Sequence, residues 1–246
     1  MNRKTWKDKI VGTAVSLGIC IIIPLILTEI YFVATYKVHL WNIYAPATVW
    51  NDDVVYYKQL TGVLKYGYPK GYFGYNESHA SIGTFGNWGA VVIYVYALFG
   101  WLIGITPNTW IGCNILMLIT AWYIFVRCTK INLLKQVIFW IMFLGIQIPI
   151  GYVFSGMSET LGYAIAIALV GLAYKGSKQY SFLNLIFQMI LCSVYTIIRP
   201  YGIAFFAFPL LEIMIHKKYR KLVYVIFDAL MSMVGSLKIS SLFRAA

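Results

Sequence analysis

Two of the chain's eight acidic residues stand side by side, Asp52 and Asp53, in WNDDVVYYKQL (residues 50–60). The remaining charge is mostly Lys and Arg, 20 in 246 residues, so an adjacent carboxylate pair is conspicuous. Ionised carboxylates can take a proton from a hydroxyl or coordinate a cation. They can also serve the backbone alone. From Asp52 onward Tyr56, Leu60 and Val63 fall on one helical face and Lys58 and Lys65 on another, with Asn51 as N-cap. Acids in such a first turn complement the helix dipole by about 0.3–1 kcal/mol. Cap and base both require an ionised Asp, and one carboxylate can cap while the other works.

Three other stretches hold candidate groups. GYPKGYFGYNESHASIGTFGNWG (67–89) reads as an ordered, close-packed loop and carries Lys70, Glu77 and His79. SGMSET (155–160) supplies Glu159, and TIIRPYG (196–202) supplies Arg199 and Tyr201 around Pro200. Arginine grips phosphate with a planar fork, although an Arg at a helix end can also snorkel to headgroups. Asp52, Asp53, Glu77 and His79 show no recognised ligand spacing; no cofactor is expected, and a divalent cation stays open. Cys20, Cys113, Cys128 and Cys192 have no CxxC spacing and read as small buried hydrophobes.

The elements that must position these groups belong to a membrane. The chain is 61% hydrophobic and 11% charged, about half the charge of a soluble domain. Several runs reach the roughly 20 apolar residues a bilayer crossing takes. The formal charge of +12 sits in short clusters between these runs, as orientation in a membrane requires, so nucleic acid is not an expected partner. The first run is too long for a signal peptide and reads as a retained span with its basic flank in the cytoplasm.

Charge then fixes a topology. If NWGAVVIYVYALFGWLIGI (87–105) crossed, Arg127, Lys130 and Lys135 would face outward, against the positive-inside bias. Laid on the outer leaflet instead, it brings every later basic cluster inside. The expected fold is therefore all-α, a single transmembrane domain over 1–246. Its multi-pass bundle has seven spans near 10–36, 108–126, 133–153, 160–174, 182–198, 203–215 and 222–237. A large outer loop, 37–107, carries interfacial helices near 52–66 and 87–105. Trp41, Trp50, Trp88 and Trp110 fall near outer interfaces, and Pro149, Pro200 and Pro209 near span ends. Asp52, Asp53, Glu77, His79, Glu159 and Arg199 all reach the outer face. Glu29, Glu212 and Asp228 read as isolated intramembrane acids that line no pathway.

This order of elements resembles the C-type (GT-C) membrane glycosyltransferases, which use polyprenyl-phosphate-linked sugars. The resemblance lies in WNDDVVYYKQLTGVLKYGYPKGYFGYNESHASIGTFGNWG (50–89), with weaker support from SGMSET and RPYG, and covers roughly residues 1–210. It implies that Asp52 or Asp53 is the catalytic base or binds the acceptor. The donor is then a lipid-linked sugar, the acceptor a glycan, lipid or protein, and the site lies on the outer face of the cell membrane. Glu77, His79, Glu159, Arg199, Lys70 and Tyr201 are the expected substrate-binding residues. A phosphate leaving group needs positive charge, which Arg199 or Lys70 offers. Family members are much longer, and this sequence stops in MSMVGSLKISSLFRAA with Lys238 and Arg244 where outer residues are expected. A truncated or frameshifted product is therefore the expectation, which bears on the activity of this chain more than on the resemblance. The rival readings are a transporter or flippase of lipid-linked saccharide and a non-catalytic membrane subunit.

Overall fold

A computed structural model describes residues 3–43, 52–68, 72–73, 81–82, 90–106 and 108–244. The described chain is helical: α1 (Arg3–Tyr36), α2 (Asp52–Tyr66), α3 (Ala90–Ile103), α4 (Thr109–Thr129), α5 (Leu133–Gly145), α6 (Gln147–Val153), α7 (Glu159–Lys178), α8 (Phe182–Ile198), α9 (Ala207–Ile215) and α10 (Leu222–Arg244). Short 3-10 segments occupy Leu40–Asn42, Pro200–Phe206 and Tyr219–Lys221. One two-residue antiparallel ladder pairs β1 (Tyr72–Phe73) with β2 (Ser81–Ile82).

Three helical segments are long and apolar enough to cross a membrane: Val11–Tyr36, Thr109–Thr129 and Glu159–Lys178. At about 1.5 Å per residue each reaches roughly 30 Å or more, the thickness of a bilayer's hydrocarbon core. The distribution of polarity agrees. Val11, Ile22 and Ile26 of α1, Leu134, Ile138 and Met142 of α5, and Val223, Phe227 and Leu230 of α10 lie exposed. Asn114, Gln136, Asn184, Gln188, Thr196, Arg199 and Glu212 lie buried. Apolar side chains outward and polar ones inward is the arrangement a lipid solvent selects, and it marks a membrane protein.

The centre is the pair α4 and α7, which make the most extensive helix contact. They run parallel: Asn114 near the start of α4 reaches the turn before α7, and Gly171 near the end of α7 lies on Phe125. A Cβ on Gly171 would sit 2.7 Å from the Phe125 Cα, so only glycine lets the backbones approach this closely. On one flank, α1 and α5 pack an aromatic cluster around Trp122, Phe139 and Trp140. On the other lie α8, α9, α10 and the 3-10 segment Pro200–Phe206.

Local chemistry sets the ends. Asn132 caps α5 by accepting the Lys135 N–H at 3.0 Å, and Ser181 caps α8 through Asn184 N–H. Arg199 is extended because Pro200 follows it, and α8 stops there. The run 133–153, read from sequence as one span, is two helices broken at Ile146. Pro149 lacks the N–H that would bond the Gly145 carbonyl one turn back. Helix α7 runs past 174 to Lys178, where Lys175 and Lys178 suit its negative end.

Three further expectations need correction. Trp110 does not present its ring at a surface; it is 2% exposed and packs edge-on against Tyr96. The Tyr56–Leu60–Val63 face of α2 is indeed one face, but it is buried on Val92, Ile93 and Tyr96 of α3 instead of lying open to a membrane surface. The three acids are not isolated. His39 Nδ1 donates to Glu29 Oε1 at 2.6 Å, Ser193 donates to Asp228 Oδ2 at 2.9 Å, and Glu212 accepts from two buried amides.

Candidate functional site

Polar groups gather where α7 begins and α8 ends. Arg199 is 1% exposed, and its Nη2 donates to Ser158 Oγ at 2.7 Å and to Glu159 Oε1. Sequence neighbours explain why these three meet. Pro200 holds Arg199 in the extended conformation, and Ser158 and Glu159 open the first turn of α7, where an acid complements the dipole. Burial excludes snorkelling: the guanidinium is locked inside the bundle by a charge and a hydroxyl. Glu159 Oε2 is buried without a hydrogen-bond partner among the described residues.

Tyrosines surround this pair. Tyr195 Oη donates to Tyr201 Oη at 3.5 Å, and the two rings meet edge to face. Tyr195 reaches that position across Gly162, where a Cβ would lie 2.6 Å from its Oη. Tyr201 itself is 61% exposed, so it is the group here that an incoming molecule can touch.

The turn that carries Ser158 is fixed from α4. Asn114, fully buried, donates to the carbonyls of Val153 (3.0 Å) and Ser155 (2.8 Å) and accepts from Tyr96 Oη at 2.5 Å. Tyr96 belongs to α3, so Asn114 ties the α2–α3 pair to the same end of the bundle. Ser155 Oγ donates to Tyr152 O at 3.1 Å and accepts Met157 N–H at 3.2 Å, which closes the turn. Sequence reasoning missed Asn114. Its signal is a lone amide in the apolar run WIGCNILMLITAWYIF (110–125), where a buried amide must find partners.

An apolar groove adjoins the turn. It measures about 620 Å³, between α1, the Leu40–Asn42 turn and helices α4 to α6, with Leu25, Ile115, Leu118, Phe143 and Ile150 among its walls. Val153 and Phe154, which end it, lead directly into the Ser155–Glu159 turn. Glu29 stands at its mouth, bonded to His39 Nδ1 and to Leu40 N–H at 2.9 Å.

The structure thus brings Glu159, Arg199 and Tyr201 together. Asp52 and Asp53 are the first two residues of α2. Lys70, Glu77 and His79, with Asn51, Trp50 and Trp88, lie outside the described residues. The described residues include no group of three His, Cys, Asp or Glu able to hold a metal ion. Arg127 and Lys130, which close α4, and Lys175 and Lys178, which close α7, share the opposite end of the bundle, since the two helices are parallel. Comparison with known proteins finds no family model, no curated protein and no solved structure that matches the chain.

Proposed function

We propose that the chain is a membrane glycosyltransferase, or the membrane part of one, that moves a sugar from a polyprenyl-phosphate-linked donor to an acceptor at the cell's outer face. The observation that carries this reading is the buried Arg199–Glu159–Ser158 node beside an apolar groove, at the bundle end opposite the basic helix termini. A lipid-phosphate donor needs an apolar channel and polar groups near its head; the groove ends in Val153 and Phe154, which lead directly into the Ser155–Glu159 turn that bonds Arg199. The positive-inside bias then puts the basic termini in the cytoplasm and the node outside, in the seven-span arrangement with α2 and α3 in an outer loop.

The chemistry follows from the residues. The acceptor hydroxyl attacks the anomeric carbon and gives its proton to the carboxylate of Asp52 or Asp53. The bond from that carbon to the phosphate oxygen breaks, and its electron pair leaves on the polyprenyl phosphate. Developing negative charge there is stabilised by fixed positive charge in a dry site. Arg199 is buried and paired, so its part is to set the local field and hold the α7–α8 junction. Direct phosphate contact falls to Lys70 and the exposed Tyr201.

Membranes carrying the chain, incubated with a polyprenyl-phosphate donor labelled in its sugar, test the reading. Label moves into an acceptor with the wild type. Replacing the base, Asp52→Asn or Asp53→Asn, lowers transfer by roughly 100-fold or more, and replacing the cap lowers it little. Undiminished transfer with both substitutions in place sinks the catalytic assignment. Movement of intact lipid-linked saccharide without sugar transfer would favour the transporter reading.

A further inference from the structure

Glu212 of α9 is 2% exposed, at the end of the bundle opposite Arg199, and no cation pairs with it among the described residues. Two amides one helical turn apart on α8 turn toward it: Asn184 Nδ2 donates to its Oε2 at 3.0 Å and Gln188 Nε2 at 2.5 Å. A carboxylate accepts only, so each amide turns its nitrogen to Oε2 and keeps its oxygen out of that bond. Asn184 Nδ2 also donates to Leu172 O at 3.0 Å, which pins it to α7.

Three oxygens are left over. Glu212 Oε1, Asn184 Oδ1 and Gln188 Oε1 are buried, and each lacks a hydrogen-bond partner among the described residues. Their residues are 2%, 4% and 0% exposed. Buried acceptors without donors are rare, and three on mutually bonded side chains mark a place for a donor or a cation. The cluster is built to shape: at Gly176 of α7 a Cβ would lie 1.9 Å from Glu212 Oε2.

The surrounding groups do not neutralise the carboxylate. His216 Nε2 donates to Gly176 O at 2.7 Å, so that proton is spent on the backbone. Lys218 lies over the Tyr180 ring, 5.7 Å from its centroid. Tyr180 Oη is buried without a partner among the described residues. Burial, then the Glu212 charge, pushes its pKa above the ordinary tyrosine value, so it stays a hydroxyl.

We propose that Glu212, Asn184 and Gln188 form a binding site for a monovalent alkali cation, held by Glu212 Oε1 and the two amide oxygens. Hard cations take carboxylate and amide oxygens as ligands. One carboxylate with two neutral amides balances one positive charge, whereas a divalent ion would leave a buried surplus. The site is independent of sugar transfer and ties α7, α8 and α9 together.

The test uses the whole purified chain in detergent, with N-methylglucamine chloride replaced by sodium or potassium chloride at constant ionic strength. Tm rises saturably, by roughly 5 °C at alkali cation well above its dissociation constant. Glu212→Gln removes that rise. If Glu212→Gln does not fold, sodium-23 line broadening by the wild type gives the same reading, reversed by excess potassium. Equal Tm in all three salts together with no line broadening overturns the proposal. So does stabilisation that follows pH and ignores the cation, which marks a protonated carboxyl donating to one amide.

Discussion

Arg199 and Glu159 lie 40 positions apart in sequence, and each was legible only as a charged residue at the end of an apolar run. Their pairing was not, because nothing local in RPYG or SGMSET says which helix ends adjoin. Burial changes what each residue does. Removing one partner of a buried pair leaves the other charge uncompensated and costs about 3–5 kcal/mol. Glu159 is one-fifth exposed (21%), which points to the lower figure. Glu159→Gln should therefore lower Tm by roughly 6–12 °C for a chain of this size. A shift below about 2 °C would show that Ser158 and solvent suffice to hold the guanidinium. For Asp52 and Asp53, the helix start could be read from Asn51, the acid pair and the apolar face that follows. Whether either carboxylate does more than cap could not, since the cap and the proposed base ask for the same ionised group.

Helices were legible where hydropathy and length speak, as in α8, and less so where a break depends on one backbone donor. Pro149 splits 133–153 into α5 and α6, and Val153 and Phe154, where α6 ends, line the groove. The parallel packing of α4 and α7 depends on Gly171, which in sequence is one glycine among 20. Its role appears only when the facing Phe125 backbone is known. Gly171→Val should part the two helices and destabilise the protein by about 1–3 kcal/mol, read as a lower Tm, and should leave α8 and α9 intact. A neutral effect would mean that the pair is not packed backbone to backbone. Asn114 illustrates the same limit: hydropathy counts it as a flaw in a span, whereas its amide holds the turn that carries Ser158.

Taken whole, the molecule exposes apolar side chains and buries its polar ones within an apolar core, and composition made the apolar exterior legible. Hydropathy set the acids within apolar runs and said nothing of their partners, because a partner is a matter of which helices touch. The groove could not be foreseen, being lined by residues from α1 and from helices α4 to α6. It yields a separate prediction. Ile115→Trp should narrow it and displace part of a bound chain. At about 0.8 kcal/mol per CH₂, losing two methylenes raises KM for a long polyprenyl donor by about tenfold. A short-chain donor should be nearly unaffected, and equal KM changes for both would place the lipid elsewhere.

The central claim is that a carboxylate at the head of α2 drives cleavage of a sugar from a lipid phosphate. Release of polyprenyl phosphate from a purified polyprenyl-phosphate sugar, in the presence of acceptor, measures that bond directly. The prediction is steady release by the wild type. Asp52→Asn combined with Asp53→Asn should cut release by roughly 100-fold or more, with Tm lowered by only a few degrees. Equal release by the folded double variant, or none by the wild type with donor demonstrably bound, would contradict it.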